Sequence, residues 1–223
     1  MRTAHHEPDS IAFFSHQGLP YLITANEGDS RDYSGYSEEN RVDDLVLDPT
    51  AFPNAATLQL DENLGRLKTT TAQGDSDNDG DHDIIYSYGA RSFGIWSGDT
   101  ANLVYDSGSD IADQTKTVPA LFNGDEGEFD ARSDDKGAEP EGVVIGKMKG
   151  KNYAFIGLER TGGVLVYDIS KINAPKFVQW VNSTADMNPE GLLFVAKKDS
   201  ANDKNLLIVA NEVTGTVTIY QSK

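Results

Sequence analysis

The sequence predicts an all-β protein built from repeated antiparallel units, and three observations support this fold class. Short runs rich in β-branched and aromatic residues alternate with turn residues along the 223-residue chain. No stretch combines the apolar spacing of an amphipathic helix with caps at both ends, so we expect little helix. The third observation is a segment layout that recurs along the chain.

Each repeat begins with a proline between polar residues and continues into two apolar strands. These starts are Glu7-Pro8-Asp9-Ser10, Glu139-Pro140-Glu141-Gly142 and Asn188-Pro189-Glu190-Gly191. The second strand ends next to a Glu, and a glycine turn then leads to a third strand. The 49 residues from Pro140 to Pro189 suit one four-stranded blade of a β-propeller, whose repeats run about 40 to 50 residues.

A further unit without the proline start follows Asp83, so we count about four blade-like units in one domain of residues 1–223. They lie near residues 7–60, 61–125, 139–187 and 188–223. Four blades are few for a closed ring, and the last unit stops after its third strand. We therefore expect part of a larger propeller or one completed by a homodimer, unless the N-terminal segment supplies the missing strand.

Aspartates alternate along the segment 75–83, which reads DSDNDGDHD. Alternate side chains of a short loop point to one side, the glycine at the sixth position permits a sharp turn, and oxygen ligands suit calcium. We expect five residues to bind calcium, the last through its backbone carbonyl: Asp75, Asp77, Asp79, Asp83 and Asp81. His82 is expected to point outward. An acidic, solvated loop without a metal is the alternative.

This loop differs from an EF-hand, which needs a bidentate Glu at the twelfth position. That position is Tyr86, and the residues around it are β-branched and aromatic. We therefore expect the loop at the tip of a β-hairpin, similar to the calcium loops of integrin-type propellers.

Composition excludes several classes of partner. The net charge of −17 repels phosphate backbones and anionic membranes and attracts divalent cations, so nucleic acid is not expected as a partner. The absence of cysteine removes disulfides and thiolate metal sites. No apolar run suits a membrane span or a signal peptide. Because millimolar calcium is found outside cells, we expect an extracellular, periplasmic or cell-surface protein whose signal lies outside this sequence.

An ordered set of motifs resembles the choice-of-anchor I family of bacterial exported propeller proteins. The motifs span most of the chain and lie at 25–31 (ANEGDSR), 64–68 (LGRLK), 89–93 (GARSF), 132–137 (RSDDKG), 139–142 (EPEG) and 157–160 (GLER). The Pro-Glu-Gly and Ala-Asn-Glu repeats alone would indicate only the broader surface-layer YVTN propeller group. The family is similar to mesenchyme-specific cell-surface glycoproteins of biomineralising animals. The resemblance implies an exported or surface-anchored protein, matched here in its C-terminal part, and some members are labelled alkaline phosphatases.

Acidic residues recur at equivalent positions of the repeats. Equivalent positions of propeller blades converge around the axis, so these residues are candidates for a second cation site at a channel mouth. The alternative is that they cap tight turns. Arginines close to them either pair with the acids, which we favour, or hold an anionic ligand such as phosphate. The set comprises Glu27, Asp29, Arg31, Arg91, Glu141, Glu159, Arg160, Glu190 and Glu212.

The sequence therefore supports two functional hypotheses. The first is an exported calcium-binding propeller module that acts in cell-surface binding or adhesion. The second is a metal-dependent phosphoesterase of the alkaline phosphatase or phytase type, in which calcium and arginines clamp a phosphate ester. The sequence has no Gly-x-Ser-x-Gly elbow or Ser-His-Asp arrangement that would support acyl hydrolysis.

Overall fold

The computed structural model describes residues 2–183 and 185–222 and is dominated by β-strands. The strands, in chain order, are β1 (Arg2–Ala4), β2 (Ser10–His16), β3 (Leu19–Asn26), β4 (Asp32–Tyr33), β5 (Tyr36–Ser37), β6 (Glu39–Arg41), β7 (Lys68–Thr70), β8 (Ile85–Ser87), β9 (Ser92–Ser97), β10 (Leu103–Asp106), β11 (Pro140–Met148), β12 (Lys151–Leu158), β13 (Val164–Asp168), β14 (Lys176–Val181), β15 (Pro189–Val195), β16 (Leu206–Asn211) and β17 (Thr216–Gln221). Helix is confined to the short α1 (Ala55–Leu58) and α2 (Asp110–Thr115) and to 3-10 turns at Val42–Asp44, Pro119–Leu121 and Lys197–Asp199. The predicted all-β class is confirmed.

Most strands belong to four sheets. Sheet I has the order β1-β8-β7-β6, sheet II β10-β9-β3-β2, sheet III β11-β12-β13-β14 and sheet IV β15-β16-β17, and β4 pairs with β5 in a separate hairpin. Pairing is antiparallel throughout sheets II, III and IV. The parallel pair of β1 and β8 joins the N-terminal strand to sheet I, so β1 does not extend sheet IV.

Sheets II, III and IV pack in a row, and sheet III is covered on both faces. Ile23 and Phe93 of sheet II pack with Ile156 of sheet III in the main core. Phe155, the neighbour of Ile156 in β12, packs instead with Leu207 of sheet IV. Successive side chains of a strand point to opposite faces, so an uninterrupted apolar run such as residues 153–158 marks a strand buried on both sides.

Sheet II combines strands that are distant in the chain. Its strand β3 pairs with β9, so Asn26 lies opposite Ser92, and three strands of sheet I, β6, β7 and β8, lie within the intervening segment. The predicted units 7–60 and 61–125 therefore share a sheet, and the division between them does not coincide with a sheet boundary. A small second core around Val42, Leu47 and Ile85 supports the inserted segment.

Gly28 and Gly89 form the base of this insertion, where the outgoing and returning chains cross. A Cβ on Gly28 would lie 2.0 Å from the backbone nitrogen of Gly89, and Gly28 has a φ of +86°. Only glycine combines this backbone conformation with so close an approach. The crossing keeps the end of β3 next to the start of β9.

The residues directly before the prolines of the repeats share a positive φ and one recurring backbone hydrogen bond. Glu7, Glu139 and Asn188, each directly before a proline, have φ values of 36°, 52° and 58°. Their carbonyls accept hydrogen bonds from the residues that follow the second strand of the same sheet: Gly28 at 3.1 Å, Glu159 at 2.9 Å and Glu212 at 2.8 Å. This bond ties the start of the first strand to the end of the second, so the acidic residues on either side are brought together.

Candidate functional site

The aspartate-rich loop joins the antiparallel strands β7 and β8, at the tip of a hairpin. Gly80, the sixth residue of the loop, has a φ of +101°, which favours glycine. His82 forms a parallel bridge with Leu47, and its N–H donates to the carbonyl of Val46 at 2.8 Å. The loop is therefore attached to the segment that carries Asp48.

Carboxylates of the loop converge in two clusters that share one residue. Oxygens of Asp75, Asp77 and Asp83 lie within 4.8 Å of one another, and so do oxygens of Asp48, Asp81 and Asp83. Asp83 thus lies between the two groups. The convergence brings together four of the five aspartates predicted from the sequence and adds Asp48.

Asp79 belongs to neither cluster among the described residues. Its carboxylate accepts a hydrogen bond from the N–H of Asp81 at 3.2 Å, which supports the turn. Asp75 accepts from the N–H groups of Asp79 and Gly80 at 3.2 Å and 3.0 Å. Backbone donors therefore orient the carboxylate of Asp75, while the carboxylate of Asp79 stabilises the turn.

Crowding of negative charge perturbs the aspartates of the loop. The neighbouring charge of Asp79 is the largest cause of the raised pKa of Asp77. Burial, followed by the charges of Asp79 and Asp48, raises the pKa of Asp81. The hydroxyl and N–H of Ser76 donate to Asp83 and lower its pKa. A bound divalent cation would relieve this repulsion, because it neutralises the charges that raise these pKa values.

The donor set fits a hard cation such as calcium. All converging groups are carboxylates, and one oxygen of Asp81 is buried without a hydrogen-bond partner in the described part of the chain. A cation among Asp48, Asp81 and Asp83 would satisfy that oxygen. The outward orientation predicted for His82 is wrong: both of its ring nitrogens are buried, because the ring packs against Gly74.

A second acidic array follows the strand ends of sheets II, III and IV. Carboxylate oxygens converge within 4.8 Å in three overlapping groups: Asp9, Glu27 and Glu141; Glu27, Glu139 and Glu159; and Glu159, Glu190 and Glu212. Glu27, Glu159 and Glu212 each follow the last residue of a second strand. We call these seven residues the carboxylate row. The equivalent positions of the repeats are thus adjacent in space.

Cations neutralise the centre of the row. Glu139 is fully buried, and its carboxylate accepts a 2.9 Å hydrogen bond from Nε of Arg132. Its other oxygen lies 3.2 Å from Nζ of Lys136, which also donates to Glu27 at 2.6 Å. Burial works to lower the pKa of Lys136, but its contacts with Glu27 and Glu139 raise it. The centre is therefore an ion-pair network.

The flanks of the row are less completely neutralised. Burial, Asp9 and Glu27 raise the pKa of Glu141 to about 9. Burial also raises the pKa of Glu159 to about 7, against the opposing charge of Arg160. The protonated forms of Glu141 and Glu159 are therefore favoured more strongly than that of an exposed glutamate.

The predicted arginines have separate partners. Arg31 donates to Glu38 through Nε at 3.1 Å rather than to Glu27. Arg91 donates to the backbone carbonyls of Ser133 and Asp135, at 2.9 Å and 2.5 Å. Arg160 lies 3.1 Å from Glu159, so it pairs with the row as favoured from the sequence. Asp29 is largely exposed, 3.8 Å from Nζ of Lys136.

Sequence reasoning missed five members of these sites: Asp9, Asp48, Glu139, Lys136 and Arg132. Glu139 carries a usable signal, since it occupies the position before proline that Glu7 and Asn188 hold in the other repeats. Asp48 carries no local signal, because only the bridge between Leu47 and His82 brings it to the loop.

Among the described residues, no helix has the length and apolar character needed to span a membrane.

Comparison with known proteins adds two findings. A model of the choice-of-anchor I domain matches residues 3–172 of this chain, a range that contains the motifs on which the resemblance is based. Gigasin-3a of Magallana gigas is 29% identical over 189 residues, which cover 74% of this chain and 66% of that protein. The match thus spans just under two thirds of the length of this relative.

Proposed function

This chain belongs to the choice-of-anchor I domain family, and from that premise we propose that it is an exported, calcium-binding β-propeller module that acts in binding or adhesion at the cell surface. Family membership indicates a domain of cell-surface or exported proteins.

The observation that carries the calcium proposal is the convergence of Asp75, Asp77 and Asp83 beside Asp48 and Asp81. Five carboxylates, including that of the shared Asp83, supply the oxygen-only ligands that calcium prefers. The orientation of Asp75 by backbone N–H groups means that part of the site is preformed. We therefore assign the loop a calcium that stabilises the hairpin and its attachment to Asp48.

The propeller proposal is supported by the row of sheets. Sheets II and III have four strands each, sheet IV has three equivalent ones, and each contact between neighbouring sheets is an apolar core. The ends of their first two strands meet in the carboxylate row, as expected of blades that converge on an axis.

Surface binding is the better supported of the two functional hypotheses. A phosphoesterase needs arginines that are free to hold the phosphate. Arg31 is engaged by Glu38, Arg91 by backbone carbonyls and Arg160 by Glu159. With a net charge of −17 the protein also repels a phosphate ester. Turnover of a chromogenic phosphate ester that depends on added calcium would contradict this choice.

Calorimetric titration of chelator-stripped protein with calcium tests the proposal. We expect saturable binding that is lost in Asp77→Ala and retained in Asp99→Ala, a control in the exposed turn between β9 and β10. Calcium at about 100 times its Kd should add about 2.7 kcal/mol to the free energy of unfolding. The Tm should then rise by about 5 to 10 °C. Absence of binding, or binding equal in both variants, would refute a calcium site in this loop.

A further inference from the structure

One buried carboxylate of the carboxylate row has no compensating cation. Among the described residues, four other buried carboxylates each form an ion pair with a lysine or arginine: Glu38, Asp135, Glu139 and Glu159. Glu141 is only 8% exposed, yet in the described part of the chain its carboxylate forms no ion pair and accepts no hydrogen bond from a lysine, arginine, hydroxyl or amide. Buried charges in proteins are normally paired or bound to a metal.

The carboxylate of Glu141 instead faces two further acids. Oxygens of Asp9, Glu27 and Glu141 lie within 4.8 Å of one another, where the starts of β2 and β11 meet the end of β3. Burial, followed by these two neighbours, raises the pKa of Glu141, because its charged form is poorly solvated and repelled. Lys136 donates to one oxygen of Glu27 at 2.6 Å, and the second oxygen of that carboxylate can still bind a cation.

Backbone contacts hold the three acids in these positions. The N–H of Val143, two residues after Glu141, donates to the hydroxyl of Ser10 at 3.2 Å. Ser10 directly follows Asp9, so this bond fixes the first strand of sheet II against the first strand of sheet III. The N–H of Asp9 donates to the carbonyl of Ala25 at 3.2 Å, which sets Asp9 beside the end of β3. The convergence of the carboxylates is therefore imposed by the fold, although their charges repel one another.

We propose that Asp9, Glu27 and Glu141 bind a hard divalent cation such as calcium, which joins sheets II and III at the carboxylate row. Two oxygen ligands of one calcium ion lie at most about 5 Å apart, since each is about 2.3 to 2.6 Å from the metal, so the three oxygens can share one ion. The cation supplies the positive charge that Glu141 lacks, and water completes its coordination beside the exposed Asp9. This site is separate from the aspartate-rich loop, so the inference goes beyond the proposed function and does not depend on it.

Calorimetric titration of the chelator-stripped full chain with calcium, at physiological ionic strength, tests the proposal. The loop offers five carboxylates, whereas this site offers three beside Lys136, so the loop should fill at lower calcium concentrations. Asp77→Ala removes that first step. We expect a second, weaker step of about one calcium ion per chain to remain in Asp77→Ala at higher calcium. Adding Glu141→Gln should weaken this second step at least about tenfold, because ligand charge sets the affinity of such sites.

Glu190→Gln is the matched control, added to the same Asp77→Ala background. Glu190 also follows a proline as the second residue of its strand, but it belongs to a different carboxylate group. The affinity of the second step should therefore stay within about threefold of that in Asp77→Ala. Both glutamine variants lose one negative charge, so the general attraction of the protein for cations changes equally. Both are expected to fold, because glutamine is close to glutamate in shape, and circular dichroism verifies this.

Hydrogen exchange locates the second step. In Asp77→Ala, calcium should increase the protection of the amide of Val143 at the start of β11, since the cation joins this strand to β2. After the further change Glu141→Gln, the same calcium concentration should leave that protection unchanged.

Three results would overturn the proposal. They are absence of a saturable second step in Asp77→Ala, a second step that Glu141→Gln leaves unchanged, and an equal loss of affinity in Glu190→Gln. The calcium proposed for the aspartate-rich loop is tested by the first step alone. Loss of all binding in Asp77→Ala would support the loop site and refute this one, whereas binding that only Glu141→Gln weakens would support this site and refute the loop.

Discussion

Carboxylate oxygens of Asp48 and Asp83 lie within 4.8 Å of each other, although Asp48 is outside the aspartate-rich loop. The N–H of Asp48 donates to the carbonyl of His82 at 3.1 Å, and this bond fixes the separation of the two segments. Leu47, next to Asp48, is buried in the small core of the inserted segment. A cation held by both carboxylates would therefore connect the loop at the hairpin tip to a packed part of the fold.

The shared position of Asp83 gives a prediction about calcium affinity. Asp83→Asn removes one negative charge from both carboxylate clusters, and we expect the calcium affinity measured by calorimetry to fall at least about tenfold, because ligand charge sets the affinity of such sites. Asp79→Asn is the matched control in the same loop. The carboxylate of Asp79 lies outside both clusters, so the calcium affinity of Asp79→Asn should stay within about threefold of that of the wild type. A larger loss of calcium affinity in Asp79→Asn than in Asp83→Asn would contradict this geometry.

The buried carboxylate of Glu139 gives a prediction about stability. Glu139→Gln leaves Arg132 and Lys136 without their common anion, and Glu139 has no exposed surface. We expect a loss of about 3 to 5 kcal/mol in the free energy of unfolding, the range for a broken buried ion pair. Asp134→Asn removes the partner of the more exposed Arg41 and Arg66 and should cost about 1 kcal/mol or less. Urea denaturation measures both, and similar losses would mean that the Glu139 network is not the stronger structural element.

Glu159 gives a prediction about pH. Its pKa in the folded protein is raised to about 7 from an ordinary value of 4.5, so the folded state binds its proton more tightly than the unfolded state does. The resulting stability is fully present below pH 4.5 and is lost as the pH rises through 7. Between pH 5 and pH 8 we expect the wild type to lose about 1 kcal/mol relative to Glu159→Gln. This value is below the full linkage, because the row is open to solvent at Glu190 and Glu212.

Urea denaturation at several pH values measures this difference, and any effect of Glu159→Gln that does not depend on pH cancels from the comparison. Glu212→Gln, in the same cluster but exposed, is the control and should follow the wild type across the range. A constant difference between wild type and Glu159→Gln from pH 5 to pH 8 would show that Glu159 does not titrate there.

Local patterns predicted the strands, and the reason is visible in β12. Its side chains alternate between two cores, so every position from 154 to 158 is buried, and an apolar run was the sequence signal. The repeated Glu positions marked Glu27, Glu159 and Glu212 as equivalent, and these three acids belong to the carboxylate row. That they hold a cation stays a prediction. The alternating aspartates predicted a cluster for the same local reason.

These local patterns did not predict contacts between segments that are distant in the chain. Nothing near β3 indicates that its partner is β9, since the whole insertion separates them. Arg31 pairs with Glu38 rather than with Glu27, and this contact depends on the antiparallel pairing of β4 with β5. Asp48 reaches the loop only through packing of the insertion. Each of these contacts depends on tertiary structure, which residue type and spacing do not encode locally.

The crossing at the base of the insertion gives a prediction that separates two costs of replacing a glycine. Gly28 and Gly18 have φ values of +86° and +83°, but a Cβ on Gly18 meets nothing within 4 Å, whereas on Gly28 it would lie 2.0 Å from the nitrogen of Gly89. Gly18→Ala should therefore cost only the left-handed conformation, about 1 to 2 kcal/mol. Gly28→Ala adds a backbone clash and should cost more than about 3 kcal/mol, or prevent sheet II from closing around the insertion.

Urea denaturation of the two alanine variants measures the difference. Because the φ values of the two glycines are nearly equal, the excess cost in Gly28→Ala reports the close approach to the backbone at Gly89. In hydrogen exchange, the amides of β3 and β9 near Asn26 and Ser92 should lose protection in Gly28→Ala and keep it in Gly18→Ala, since only the first disturbs the crossing. Equal losses of stability in the two variants would mean that the chains at Gly28 and Gly89 separate at little cost, and the insertion would then not be anchored at this point.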